Sequence, residues 1–184
     1  DPASSETATT ETSTTETSTT ETPTASEAET EAPQAEASAE NASIATLELT
    51  NVSTGETFTL NDFSGQTVVV KPMATWCGNC RENFQGVSSA IAEESDPPVI
   101  VAVSVEANLP NEELAKYAED EGFDFIFTVA SPEVLRALET QFGAAALNPS
   151  STPRFIIKPD GTTTELTTGK VEPETFIEEV RSAS

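Results

Sequence analysis

Residues 68–81 read Val-Val-Val-Lys-Pro-Met-Ala-Thr-Trp-Cys-Gly-Asn-Cys-Arg. The run Thr67–Val70 is nearly continuous in apolar residues, as a strand buried on both faces would be. From Cys77 to Glu94 the apolar residues Phe84, Val87, Ala90 and Ile91 fall on one helical face. A strand therefore hands over to a helix at Trp76–Cys80, and two cysteines at i and i+3 face each other across the first turn, within disulfide reach. The helix N-terminus offers unpaired N–H groups and a partial positive charge, both of which stabilise a thiolate. Cys77 is expected to have a lowered pKa and to be the nucleophile. Cys80, one turn in and more buried, is expected to resolve the mixed disulfide.

Composition removes most competing chemistry. The 184 residues include two cysteines and no histidine. A Ser-His-Asp or Cys-His triad, a histidine-ligated haem and a mixed cysteine/histidine zinc site are excluded, and two thiols cannot make a four-thiolate zinc site. Covalent haem attachment needs a histidine after the second cysteine, where this chain has Arg81. A purely structural disulfide across four residues closes little chain entropy. Redox exchange, copper delivery and a structural staple are the readings left. The net charge of -24 argues against nucleic acid as a partner. No run of 18 apolar residues is present to span a membrane.

Working outward, Ile44–Asn51 reads as a half-buried strand and Thr57–Leu60 as its hairpin return. Val99–Val105 and Phe123–Val129 are further apolar runs. Asn111–Glu121 is a helix with Leu114, Tyr117 and Ala118 inward, closed by Gly122. Ser131 caps a helix with Pro132 at its first position, Leu135, Leu138 and Phe142 as its stripe and Gly143 as its stop. Phe155–Ile157 is a strand that turns at Asp160-Gly161 into Thr163–Thr167. Pro173–Arg181 is a closing helix with Phe176, Ile177 and Val180 inward. The alternation predicts an α/β sandwich with a central mixed sheet.

Residues 1–43 differ in kind. They hold 19 Ser/Thr, 10 Asp/Glu, 9 Ala and 3 Pro, with no basic or aromatic residue. Such a segment cannot bury enough surface to offset the entropy of ordering, so a disordered tether is expected. A five-residue repeat opens at Glu6, Glu11, Glu16 and Glu21, a period that matches no helix face. The composition suits a tether outside the cytoplasm, though no lipid-bearing cysteine or signal peptide is visible. The start at Asp1 suggests that upstream residues were removed. Residues 44–184 form the expected domain and carry a balance of -14.

The stretch from Val68 to Arg81 resembles the active-site region of the thioredoxin superfamily, most of all its TlpA/ResA-like extracytoplasmic branch, where Ala-Thr-Trp-Cys-x-x-Cys-Arg is the usual wording. Thr152-Pro153-Arg154-Phe155-Ile156-Ile157-Lys158-Pro159-Asp160-Gly161 is similar to the family's Thr-Pro-x-Phe-x-Ile-x-x-x-Gly segment. The resemblance covers residues 44–184. It implies a thioredoxin-like three-layer sandwich with an N-terminal β-hairpin extension. It also implies a cis Pro153 beside the cysteine pair and a Thr152 backbone that pairs with an extended substrate; a simple strand-start proline is the plainer reading. Trp76 matches the tryptophan that shapes the family's substrate surface, or else fills the core.

The chain departs from the family at several positions. Asn79, with Gly78 between the cysteines, stands where many strong reductants have proline, and these two residues tune the reduction potential. Lys71 stands where thioredoxins have a buried acid. It either favours a thiolate by its charge or snorkels outward. Pro72 suggests an irregularity at the strand's end. Asn83 holds the place of a family glutamate and Glu82 lies one residue early, which weakens an acid/base role for Glu82. Ala144–Ser151 lengthens the approach to Pro153, as a substrate rim or as a longer loop.

The resemblance implies a monomeric thiol–disulfide oxidoreductase that uses no cofactor or metal. It would exchange disulfides with cysteine-containing exported proteins and be recycled by a redox partner. It would lie in the periplasm or at the cell surface, meeting a membrane only through an N-terminal anchor. The alternative is a copper-handling thioredoxin-like binding module.

Overall fold

The computed structural model describes residues 43–184. The tether expected at the N-terminus, Ser43 apart, lies outside the described residues. Six strands, β1 (Leu49–Thr50), β2 (Thr57–Phe58), β3 (Val68–Met73), β4 (Val99–Ser104), β5 (Ile126–Val129) and β6 (Phe155–Ile157), alternate with four helices. These are α1 (Gly78–Ile91), α2 (Asn111–Glu121), α3 (Pro132–Phe142) and α4 (Pro173–Ala183). The main sheet has the order β5-β4-β3-β6, and β1-β2 form a separate hairpin. β3, β4 and β5 run parallel, and β6 is antiparallel to β3. The sheet is mixed, as the sequence led one to expect.

Alternation along β3 divides the core. Val68 and Val70 join Val101, Val103, Phe155 and Ile157 against Val134 and Leu138 of α3, with Ile44, Leu49 and Leu60 from the N-terminal segment. On the opposite face Val69, Ile100 and Ile156 meet Val87 of α1 and Phe176, Ile177 and Val180 of α4. Farther along that face Met73, Ala102 and Phe127 meet Cys80 and Phe84 of α1 and Leu114 and Ala118 of α2. Three layers result, each held by side chains worth ~1.5–3 kcal/mol when fully buried.

Helix ends follow the sequence signals. Ser131 Oγ accepts the Val134 N–H at 3.2 Å with Pro132 in the first turn. Gly122 closes α2 in the left-handed conformation (φ 70°) that lets the next N–H groups reach back to the helix.

Other expectations are corrected. Ile44–Asn51 is not one strand: Ser43 Oγ accepts the Ala45 N–H and starts a 3-10 turn at Ile44–Thr46, leaving two residues for β1. β5 begins at Ile126 rather than Phe123 because the Phe123 N–H still caps α2 through the Ala118 carbonyl. Thr163–Thr167 forms two isolated bridges, not a strand. There the Thr164 hydroxyl takes the Ile156 N–H, where a ladder would use a backbone carbonyl.

Pro72 causes no irregularity. The Thr67 and Met73 carbonyls accept from Val99 and Val105, so the odd-numbered backbone groups of β3 face β4. Pro72 faces the other way, toward β6, whose pairing stops at Val70. Its missing N–H therefore removes no ladder bond.

Candidate active site

Apolar strand residues carry β3 into the core and deliver Ala74–Cys77 at its C-terminal end. Cys77 is the N-cap of α1, and its sulfur accepts the Cys80 N–H at 3.2 Å. This is one of the orphan donors at a helix start, here aimed at a thiol. Both cysteines are free thiols. Cys80 faces inward, and burial, then its hydrogen bond with Cys77, pushes its thiol up to about 12.

Cys77 is only 4% exposed against 3% for Cys80, so the expected difference in burial is absent. The cause is a 3-10 turn at Pro149–Ser151. The Pro149 carbonyl accepts from Cys77 Sγ at 3.4 Å and from Cys80 Sγ at 3.1 Å. Asn79 Nδ2 donates to the Ser150 carbonyl at 3.1 Å, which ties the same turn to α1. The Ala144–Ser151 segment is thus neither a free loop nor an open rim. Two 3-10 turns fold it onto the thiols. Gly78 opens α1, and a Cβ built there meets nothing within 4 Å, so space does not demand glycine.

Trp76 is 66% exposed, the one large hydrophobic exposed among the described residues, which ends its core-filler reading. Pro153 and Thr152 are buried. The expectation of a cis proline is corrected: no described peptide bond is cis. Thr152 instead enters Pro153 from a left-handed conformation (φ 47°, ψ 56°) that ends the 3-10 turn. Of the backbone expected to pair with substrate, its N–H is bonded to the Pro149 carbonyl at 2.8 Å. Its hydroxyl is buried without a partner.

Lys71 does not snorkel. It is 3% exposed on the face of β3 beneath α1. Nζ donates to Asn83 Oδ1 at 2.6 Å and lies 5.7 Å from the Phe84 ring centroid. Burial, then the Arg154 charge, lowers its pKa to about 7, while Cys80 and Glu179 pull the other way. Glu82 turns outward to pair with Lys170, whose hydrogen bond holds its carboxyl below the usual range.

Three contributions to the site are not legible in the sequence. Asn83, a departure from the family glutamate, is the polar partner of Lys71. The Pro149 carbonyl is a backbone atom with no side-chain signal. Glu106 accepts from the Thr75 N–H at 2.6 Å, Thr75 Oγ1 at 3.1 Å and Ser104 Oγ at 3.2 Å. The pairing of Met73 with Ser104 places Glu106 level with Thr75, a register that parallel strands could have suggested.

The site offers two thiols at a helix start and a buried amine beneath. Among the described residues no three His, Cys, Asp or Glu side chains gather as a metal site, so copper would rest on the two thiols. Solved structures share the fold. A thiol:disulfide interchange protein of the thioredoxin family from Chlorobium tepidum is 21% identical over 74% of this chain and 92% of its own, with a TM-score of 0.61. An exposed lipoprotein thioredoxin from Streptococcus pneumoniae is 20% identical over 74% and 98%, at 0.56. Copper-bound ScoI from Arabidopsis thaliana is 13% identical over 74% and 94%, at 0.59. No curated protein matches by sequence. The Redoxin family model matches residues 27–183, beginning inside the Ser/Thr/Glu-rich segment. With this match over most of its length, a thioredoxin-like sheet and a cysteine pair capping α1, the chain belongs to the Redoxin family.

Proposed function

We propose that this protein is an extracytoplasmic thiol–disulfide oxidoreductase that exchanges disulfides with exported polypeptides through Cys77 and Cys80. The observation that carries the reading is the N-cap position of Cys77, with the Cys80 N–H on its sulfur and the second thiol one turn behind. In the reducing direction the Cys77 thiolate attacks one sulfur of a substrate disulfide. A mixed disulfide forms and the other substrate sulfur leaves as a thiolate. Cys80 then gives up its proton and attacks Cys77 Sγ. The Cys77–Cys80 disulfide forms, the second substrate thiolate leaves, and two electrons have passed to the substrate. The opposite direction runs the same steps backward.

The buried Lys71 amine acts on the Cys80 thiol by its charge, which opposes the upward push of burial and favours the Cys80 thiolate as it forms. Asn83 holds that amine by its side-chain oxygen. Trp76 presents an exposed ring beside the pair for substrate contact.

The extracytoplasmic location is supported by the Ser/Thr/Glu-rich composition of residues 1–43 and by likeness to an exposed lipoprotein thioredoxin. Among the described residues no helix is long and apolar enough to cross a membrane. The protein acts as a monomer, recycled by a redox partner. Insulin reduction in the presence of dithiothreitol tests the reading. Wild type accelerates it and Cys77→Ser does not; full activity in Cys77→Ser overturns it.

A further inference from the structure

The nucleophile of this fold is shut in by its own chain. Cys77 keeps 4% of its surface, with the Pro149 carbonyl against its sulfur and the Ser150 carbonyl held beside it by Asn79. A disulfide approaching Cys77 Sγ has to displace them. The turn is fastened by two kinds of bond: thiol hydrogens donated to the Pro149 carbonyl, and the Asn79 amide donated to the Ser150 carbonyl. A further tie, Gly169 N–H to the Ser151 carbonyl at 2.7 Å, anchors its far end.

The ends of the segment are built to bend. Gly143 sits at φ 76° at the start. At the finish Thr152 sits at φ 47°. Thr152 is β-branched and precedes a proline, so both its side chain and the next ring oppose that backbone. Its hydroxyl is buried without a partner, a second unfavourable feature of the turn as it stands. The closed turn is thus strained at one end and latched in the middle.

We propose that Pro149–Ser151 is a gate over Cys77, that Asn79 is its latch and the residue that determines access, and that the gate is closed by the reduced thiols and loosened by the disulfide. The chemistry of the latch gives the redox dependence. Converting the dithiol to the disulfide removes both thiol protons and two electrons, which added glutathione disulfide takes up to become two molecules of glutathione. The Pro149 carbonyl then loses two donors and faces two sulfur lone pairs instead. Only the Asn79 bond still ties the turn to α1, against the strain at Thr152. An extended polypeptide opens the gate by giving Asn79 a backbone carbonyl of its own in exchange for that of Ser150. The gate's consequence for turnover rests on the thiol-exchange reading, whereas its existence does not.

Two measurements on the full chain test it. The first is the rate of Cys77 alkylation by iodoacetamide, taken at the plateau of its pH profile so that a changed thiol pKa drops out. Asn79→Ala is expected to raise the plateau about fivefold or more, the effect of losing one hydrogen bond. The second is amide hydrogen exchange in reduced protein and in protein oxidised with excess glutathione disulfide. The N–H groups of Ser151 and Thr152, bonded within the turn, are expected to exchange faster after oxidation. An unchanged alkylation plateau in Asn79→Ala overturns the gate. Equal or slower exchange after oxidation overturns its redox dependence. Neither readout needs the protein to turn over a substrate, so failure of the insulin assay leaves both interpretable.

Discussion

At Lys71 an ammonium group sits under α1 with the Asn83 amide and the Phe84 ring for company. Its pKa in the folded chain is about 7 against an ordinary 10.5. Between those values the unfolded chain binds more protons, so stability attributable to this group rises with pH and is lowest below about 7. Cys80 acts in the opposite sense: its thiol is raised from 9.0 to about 12, so its contribution is full below pH 9 and is lost above. A clean rise is therefore expected between about pH 7 and 9. Urea unfolding at pH 6 to 9 should show Lys71→Met more stable than wild type at the acid end, by up to ~4 kcal/mol, and without the rise. The same variant should resolve the mixed disulfide about tenfold more slowly, the effect of raising the Cys80 thiol by about one pKa unit once the Lys71 charge is gone. A stabilised variant of undiminished rate would remove Lys71 from the chemistry.

The junctions between elements set the active-site geometry. Glu106 leaves β4 and returns its carboxylate to Thr75, two residues before Cys77. Its loss orphans the Thr75 N–H and frees the turn that presents the nucleophile. Glu106→Ala is expected to cost about 1–3 kcal/mol in thermal or urea unfolding and to lower kcat with insulin. Glu106→Gln, which still accepts from Thr75, should recover most of both.

Elements whose ends carry their own chemistry were legible in the sequence: Ser131-Pro132 opens α3, Gly122 closes α2, and the valine run of β3 lies at the sheet centre. The cysteine pair was legible because its spacing and its place before a helix are local facts. What the sequence concealed depends on distant partners. A lone lysine reads as a snorkelling side chain until Asn83, twelve residues on, supplies its acceptor. The Pro149 gate is made of carbonyls, which every residue has. The return strand at Thr163–Thr167 failed because one threonine hydroxyl replaced a backbone acceptor.

For the molecule as a whole, surface charge and buried charge behave differently. Among the described residues no acidic side chain is buried, and exposed pairs such as Arg81–Glu121 hold little energy. Arg154 is buried between β6 and α4. It donates to both Glu179 oxygens, at 2.6 and 2.8 Å, and to the Gly169 carbonyl at 3.0 Å. Glu179→Ala strands that guanidinium and should destabilise the fold by about 3 kcal/mol in urea titration, while Arg81→Ala should change it by less than about 1 kcal/mol.

In the proposed exchange Cys77 attacks and Cys80 resolves. Cys80→Ser incubated with a disulfide-bridged peptide, then examined by intact-mass spectrometry under acid quench, tests it most directly. A stable mixed disulfide on Cys77, absent from Cys77→Ser, is the predicted result. A Cys80→Ser protein that stays unmodified while Cys77→Ser captures the peptide on Cys80 would contradict the account.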